Sequence, residues 1–74
     1  MSSSPVVKKA NQIAQFFIAQ PDRRQAVADM ARHLVNTWPP RQRQELQAAA
    51  AAGAALDALV HEVLAALAEH AASH

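Results

Sequence analysis

The sequence predicts an all-α protein, a small bundle of three to four helices joined by short Pro/Gly turns. Three observations lead there. Apolar residues recur at helical spacing along most of the chain. The helix breakers stand at separated points, Pro21, Pro39-Pro40 and Gly53. No segment alternates with period two over a β-branched run, so no strand is expected. With 74 residues the chain makes one domain. The expected organisation is a flexible lead at 1–4, a single helical domain at 5–72 and a tail at 73–74. Within the domain, helices are expected over about 5–20, 23–37, 40–52 and 54–71.

Ser4 followed by Pro5 reads as N-cap and first helical position. Val6, Ala10, Ile13 and Phe17 then lie at i, i+4, i+7 and i+11, one stripe of an α-helix. Gln20-Pro21 closes it, because proline disfavours helical geometry in the residue before it. Asp22 restarts the chain, and Gln25 three residues later completes a capping box. Val27, Met30, Ala31, Leu34 and Trp38 form the second apolar face, which Pro39-Pro40 ends. Pro40 fits the first turn of a third helix. Arg41 to Ala52 holds no breaker and is rich in strong helix formers. Gly53, the single glycine, is the expected stop. The fourth stripe, Leu56, Leu59, Val60, Val63, Leu64, Leu67 and Ala71, is the clearest amphipathic pattern. The alternative to a break is one long rod through Gly53, at a cost of about 1 kcal/mol; the break is the favoured reading.

Composition narrows the function. Apolar residues make up 51% of the chain, but nineteen of them are alanines, which bury little area each. Cysteine is absent, which excludes disulfides and thiolate metal sites. A domain this small needs a staple, a partner or very regular packing, and the first is missing. The net charge of +1 is unevenly spread. Residues 1–43 carry all seven basic groups against Asp22 and Asp29; residues 44–74 carry four acids and no base. Such asymmetry points to a basic face that meets an acidic partner or folds back on the acidic half. No run approaches the roughly 20 apolar residues of a membrane span, and Met1 to Pro5 offers no signal-peptide core. A cytoplasmic protein without membrane contact is expected.

Catalytic chemistry finds no foothold. The serines are confined to positions 2–4 and 73, away from any rigid setting beside a base. A single glycine cannot build a phosphate loop. Glu62 and Glu69 share a helix face, but paired-carboxylate catalysis needs a cleft. His70 and His74 have the i, i+4 spacing of a helical metal clamp, yet no third ligand is placed, and histidine at a helix C-terminus also suits the dipole. No catalytic, cofactor-binding or metal residue is therefore expected. Nucleic-acid binding has weak support: the basic groups scatter over three helices, and only Lys8-Lys9 and Arg23-Arg24 are adjacent.

Two places look suited to a partner. Phe16, Phe17 and Ile18 together span more of a helix than a core stripe needs, so one flank is expected to be exposed and covered by another protein; a wide core stripe is the alternative. Asn11 and Gln12 lie on the same helix away from the stripe centre, where solvation explains them equally well. The run Trp38-Pro39-Pro40-Arg41-Gln42-Arg43 places a tryptophan in a stiff corner and two arginines in a first helical turn, where they oppose the dipole. A carboxylate on a partner, or an internal pair with Glu45 or the acidic half, would relieve that. Tryptophan and arginine are enriched at binding hot spots. The candidate partner-binding residues are Asn11, Gln12, Phe16, Trp38, Arg41 and Arg43.

These residues carry a resemblance. Ala10-Asn11-Gln12-Ile13-Ala14, Phe16-Phe17 and Gln20-Pro21 resemble the opening signature of the small delta subunit of molybdenum-dependent, NAD-reducing formate dehydrogenase. His33-Leu34 and Trp38-Pro39-Pro40-Arg41 with Arg43 are similar to that family's Trp-x-Pro-Arg-Met-Arg motif. Gly53, Leu56-Asp57 and Leu59-Val60 resemble its glycine-rich turn and Leu-Asp-Pro-Leu-Val segment. Gln42 stands in place of methionine, Ala58 in place of proline, and Ala55 and its neighbours in place of glycine, changes that favour helix from residue 54 onward. The resemblance implies a non-catalytic accessory subunit of a hetero-oligomeric complex. Its partner would be a large catalytic subunit, and the partner subunits would carry molybdopterin, iron–sulfur clusters and flavin, with no cofactor in this chain. It implies a role in assembly, cofactor loading or stability. A stand-alone helical adaptor that homodimerises through residues 56–71 is the competing expectation.

Overall fold

The computed structural model describes residues 5–72, with side chains described as far as Glu69. The expected lead at 1–4, the Ser4 cap, the tail at 73–74 and the His70–His74 pair lie outside the described residues. Four helices and no strand occur among the described residues: α1 Pro5–Ile18, α2 Arg23–Thr37, α3 Pro40–Ala51 and α4 Ala58–Ala72.

Helix α1 opens on Pro5 and buries Val6, Val7, Ala10 and Ala14, with Ile13 and Phe17 half-buried beside them. It ends at Ile18, two residues earlier than the proline alone dictates. The Gln20 amide folds back on the Phe17 carbonyl at 3.1 Å in a turn, and the Gln20 side chain donates to Asp29 Oδ2 at 3.3 Å. Helix α2 starts at the expected residue. Asp22 is its N-cap and accepts from the Gln25 backbone N–H at 3.2 Å. Only this half of the expected capping box forms. The Gln25 side chain instead donates forward to Asp29 Oδ1 at 2.8 Å, an i, i+4 neighbour on the helix surface. The helix stops where Trp38 turns extended before Pro39, its N–H still donating to the Leu34 carbonyl at 2.9 Å.

Helix α3 begins with Pro40 after an extended Pro39 and ends at the glycine. Gly53 takes φ +88°. Its N–H donates to the Ala50 carbonyl at 3.1 Å and the Ala54 N–H to Ala49 at 3.0 Å, the paired bonds of a Schellman stop. The chain therefore does not run through as one rod. Nor does α4 start at residue 54: positions 54–57 are non-helical, and the Asp57 carbonyl accepts the first helical bonds, from Val60 at 2.9 Å and His61 at 3.3 Å. Ala58, where the resemblance has proline, is thus the first helical residue of α4. Proline is favoured there and alanine fits the same place, so the substitution leaves the helix start unmoved.

One apolar cluster joins the four helices. Met30 and Leu34 from α2, Leu46 from α3, and Leu59, Val60 and Val63 from α4 are fully buried. Trp38 closes the cluster at the corner between α2 and α3. Helix α1 contacts each of the other three helices. The Cα radius of gyration, 11.6 Å, is close to the roughly 11 Å expected for this length. The basic half does fold back on the acidic half, at Arg23, whose Nη2 and Nε lie 2.6 and 2.9 Å from Glu62 Oε2.

Candidate partner-binding surface

The six candidate residues separate into two groups. Asn11, Arg43 and Trp38 have internal partners; Gln12, Phe16 and Arg41 face outward.

Asn11 holds the loop between α3 and α4. Its Nδ2 donates to the Ala55 carbonyl at 3.0 Å, and its Oδ1 accepts from the Asp57 N–H at 3.0 Å. One turn along, Gln15 Nε2 donates to Asp57 Oδ2 at 3.1 Å. These bonds satisfy loop groups that no helix ladder can reach. They tie the non-helical stretch at 54–57 to α1 at Ala55 and Asp57.

Arg43 resolves the dipole question raised by its position. It opposes the dipole of α3 but serves that of α2. Its Nη1 donates to the Trp38 carbonyl at 2.6 Å and lies 3.3 and 3.4 Å from the Val35 and Leu34 carbonyls. A cation at a helix C-terminus is favourable; the Leu34 carbonyl also keeps its bond from the Trp38 N–H, while those of Val35 and Trp38 lie past the last helical donor. The expected internal pair between Arg43 and an acidic side chain is not what forms. Trp38 is 5% exposed, so its ring belongs to the core. Over the ring sits Lys9, whose Nζ lies 5.4 Å from the centroid, within cation–π range.

Phe16 is the opposite case, at 80% exposure. Phe17 turns inward and meets the His33 ring at a centroid distance of 5.9 Å. The three-residue apolar run therefore splits as the wide-stripe alternative does not allow: one ring goes to the core flank and the other to solvent. Pro5, Lys9, Gln12 and Phe16 follow one another at i, i+4, i+7 and i+11, a single outward stripe of α1. Four of the six residues that line a surface depression of about 430 Å³ come from this face or its edge: Pro5, Lys8, Lys9 and Gln12. Gln42 of α3 forms its far wall, next to the exposed Arg41. A second, alanine-walled depression lies on the other side of Lys8, against Asn11 and the Gly53 turn. Lys8, Lys9 and Gln42 are not among the contact residues expected from sequence, which marks the lysines only as an adjacent basic pair and Gln42 only as a replacement for methionine. The stripe spacing that joins Lys9, Gln12 and Phe16 was legible; the approach of Gln42 from another helix was not.

Among the described residues no group of three or more His, Cys, Asp or Glu side chains could hold a metal ion, and no helix is long and apolar enough to cross a membrane. What the surface offers is ammonium groups, carboxamides and one bare aromatic ring, which can recognise another protein.

Comparison with known proteins gives this surface its context. The family model described as NADH-dependent formate dehydrogenase delta subunit, FdsD, matches residues 6–67. No curated protein and no solved structure matches the chain. The match spans α1 from its second residue, all of α2 and α3 and most of α4, and so covers every candidate contact residue. The chain belongs to the delta subunit family of NADH-dependent formate dehydrogenase.

Proposed function

We propose that this chain is a non-catalytic accessory subunit that binds the large catalytic subunit of a formate dehydrogenase complex and supports its assembly, cofactor loading or stability. The redox groups, molybdopterin, iron–sulfur clusters and flavin, would lie on the larger subunits, and the complex would work in the cytoplasm. The family match over residues 6–67 carries this reading. The exposed Phe16 supports it, because an aromatic ring left 80% in water gains most by being covered.

The competing adaptor reading is disfavoured by one observation. Leu59, Val60, Val63 and Leu64, the centre of the stripe through which a homodimer would form, are buried in the chain's own core. Only the half-buried Leu56 and Leu67 remain of that face among the described large residues.

The test is affinity purification of the tagged chain from its own cells. The proposal expects the formate dehydrogenase catalytic subunit in the eluate. Deleting the chain is expected to lower the molybdenum content or the yield of active complex. Recovery of the chain alone, as a tight dimer by sedimentation, with unchanged formate dehydrogenase in the deletion strain, would reject it.

A further inference from the structure

Among the described residues, Arg23–Glu62 is the ion pair that forms within 4 Å, and it takes one of seven basic groups. Arg43 is occupied by backbone carbonyls. Lys8, Lys9 and Arg41 are exposed; Lys8 and Lys9 line the Gln12–Gln42 depression, and Arg41 is the chain neighbour of Gln42. Glu45, one turn beyond Arg41, makes no ion pair with them within 4 Å. The face is therefore net positive, with carboxamides that can hydrogen-bond a carboxylate or a backbone. Phe16 stands one turn beyond Gln12 on the same stripe. Long helical side chains lean towards the N-terminus of their helix, so Phe16 stands on the Gln12 side of its own position, exposed on the stripe that continues from the depression. The cation over Trp38 also fixes one wall: Lys9 is anchored at 5.4 Å from a buried ring, which lowers the entropy lost when a partner orders it.

We propose that the Lys8–Lys9–Gln12–Phe16 face of α1, with Gln42 of α3, receives an acidic segment of the catalytic subunit that sets an apolar side chain against Phe16 and a carboxylate between the lysines and the glutamines. This rests on the accessory-subunit reading above and adds the place and the chemistry. Charge complementarity selects the occupant: an apolar segment would leave two ammonium groups desolvated and unpaired, and a basic one would be repelled. Phe16 supplies the centre that excludes water, and the lysines supply steering and register. The three internal residues, Asn11, Trp38 and Arg43, shape the face from beneath without touching the partner.

The experiment uses the full chain and the purified catalytic subunit, with binding followed by interferometry. Phe16→Ser is expected to weaken binding at least about tenfold. Lys8→Glu with Gln12→Glu is expected to do the same, and to flatten the salt dependence of the wild type between about 0.01 and about 1 M, where screening shortens from about 30 to about 3 Å. Neither change touches a buried side chain, and Lys9 is spared because it covers Trp38; thermal unfolding of each variant checks that the fold stands. Arg24→Glu, on the exposed face of α2, is expected to bind within about twofold of wild type. Wild-type binding that survives both variants overturns this surface and leaves the accessory role standing. Loss with Phe16→Ser alone, at every salt concentration, overturns the acidic occupant. Absence of wild-type binding overturns the accessory reading and this surface with it.

Discussion

Replacing Asn11 by alanine tests whether that residue is a clamp or a contact. The substitution removes two hydrogen bonds at once, to Ala55 and from Asp57, both at 3.0 Å. Asn11 is half-buried, so water can partly replace what is lost. At about 0.5–1.5 kcal/mol per net hydrogen bond, the pair contributes about 1–3 kcal/mol. In a domain of this length each kcal/mol moves the melting temperature by about 4–8 °C, so Tm should fall by roughly 4–24 °C. Asn11→Asp should fare no better. Its carboxylate keeps the acceptor for the Asp57 N–H but faces the Ala55 carbonyl without a donor, and a charge is left beside an acceptor. The assay is thermal unfolding by circular dichroism, with hydrogen exchange at the Asp57 amide as the local readout. That amide should lose protection in both variants before the helices melt. A Tm within about 2 °C of wild type, with Asp57 still protected, would refute the clamp. Partner affinity measured well below Tm should change little, which separates Asn11 from Phe16 although they sit on one helix.

Three further outcomes are expected. Arg43→Met keeps much of the stem and removes the guanidinium from the Leu34, Val35 and Trp38 carbonyls; a loss of about 1–3 kcal/mol is expected in urea unfolding, with an unchanged m-value. Gly53→Ala meets no atom within 4 Å, so the cost comes from φ +88° alone, about 1–2 kcal/mol; Gly53→Asn should recover part of it in the same thermal melts. Arg23→Ala should cost less than about 1 kcal/mol, because both partners are nearly half exposed and surface pairs contribute little; the difference from wild type should vanish in high salt.

Much of the architecture was legible because its signals are local. Pro21, Pro39-Pro40 and Gly53 mark breaks through their own φ preferences, and Asp22 caps the helix next to it. The stripe on α4 needed only the identity of neighbours three and four residues apart. What could not be read are pairings between distant segments. The fourth helix begins at Ala58 after a loop that α1 holds at Ala55 and Asp57, and nothing in the alanine-rich stretch itself announces that. Arg43 looked unfavourable from within α3; its partners belong to the end of α2, which only the turn at Pro39-Pro40 brings near. At the candidate surface the stripe of Lys9, Gln12 and Phe16 was implicit in spacing. The inward course of Trp38 was not, because a tryptophan at a corner suits a core and an interface alike.

The bonds from Asn11 reach residues 44 and 46 positions away in the chain, and this sets an order on folding. Helices α1, α2 and α3 can form from local contacts within microseconds. The seat of α1 is complete only when the segment around Asp57 exists. During synthesis α1 can pack on α2 and α3 first, and its Asn11 clamp closes last, once residues 55–57 have been made. Removing the chain from Ala55 onward should therefore loosen the N-terminal helix, and with it the surface that Lys8, Gln12 and Phe16 present.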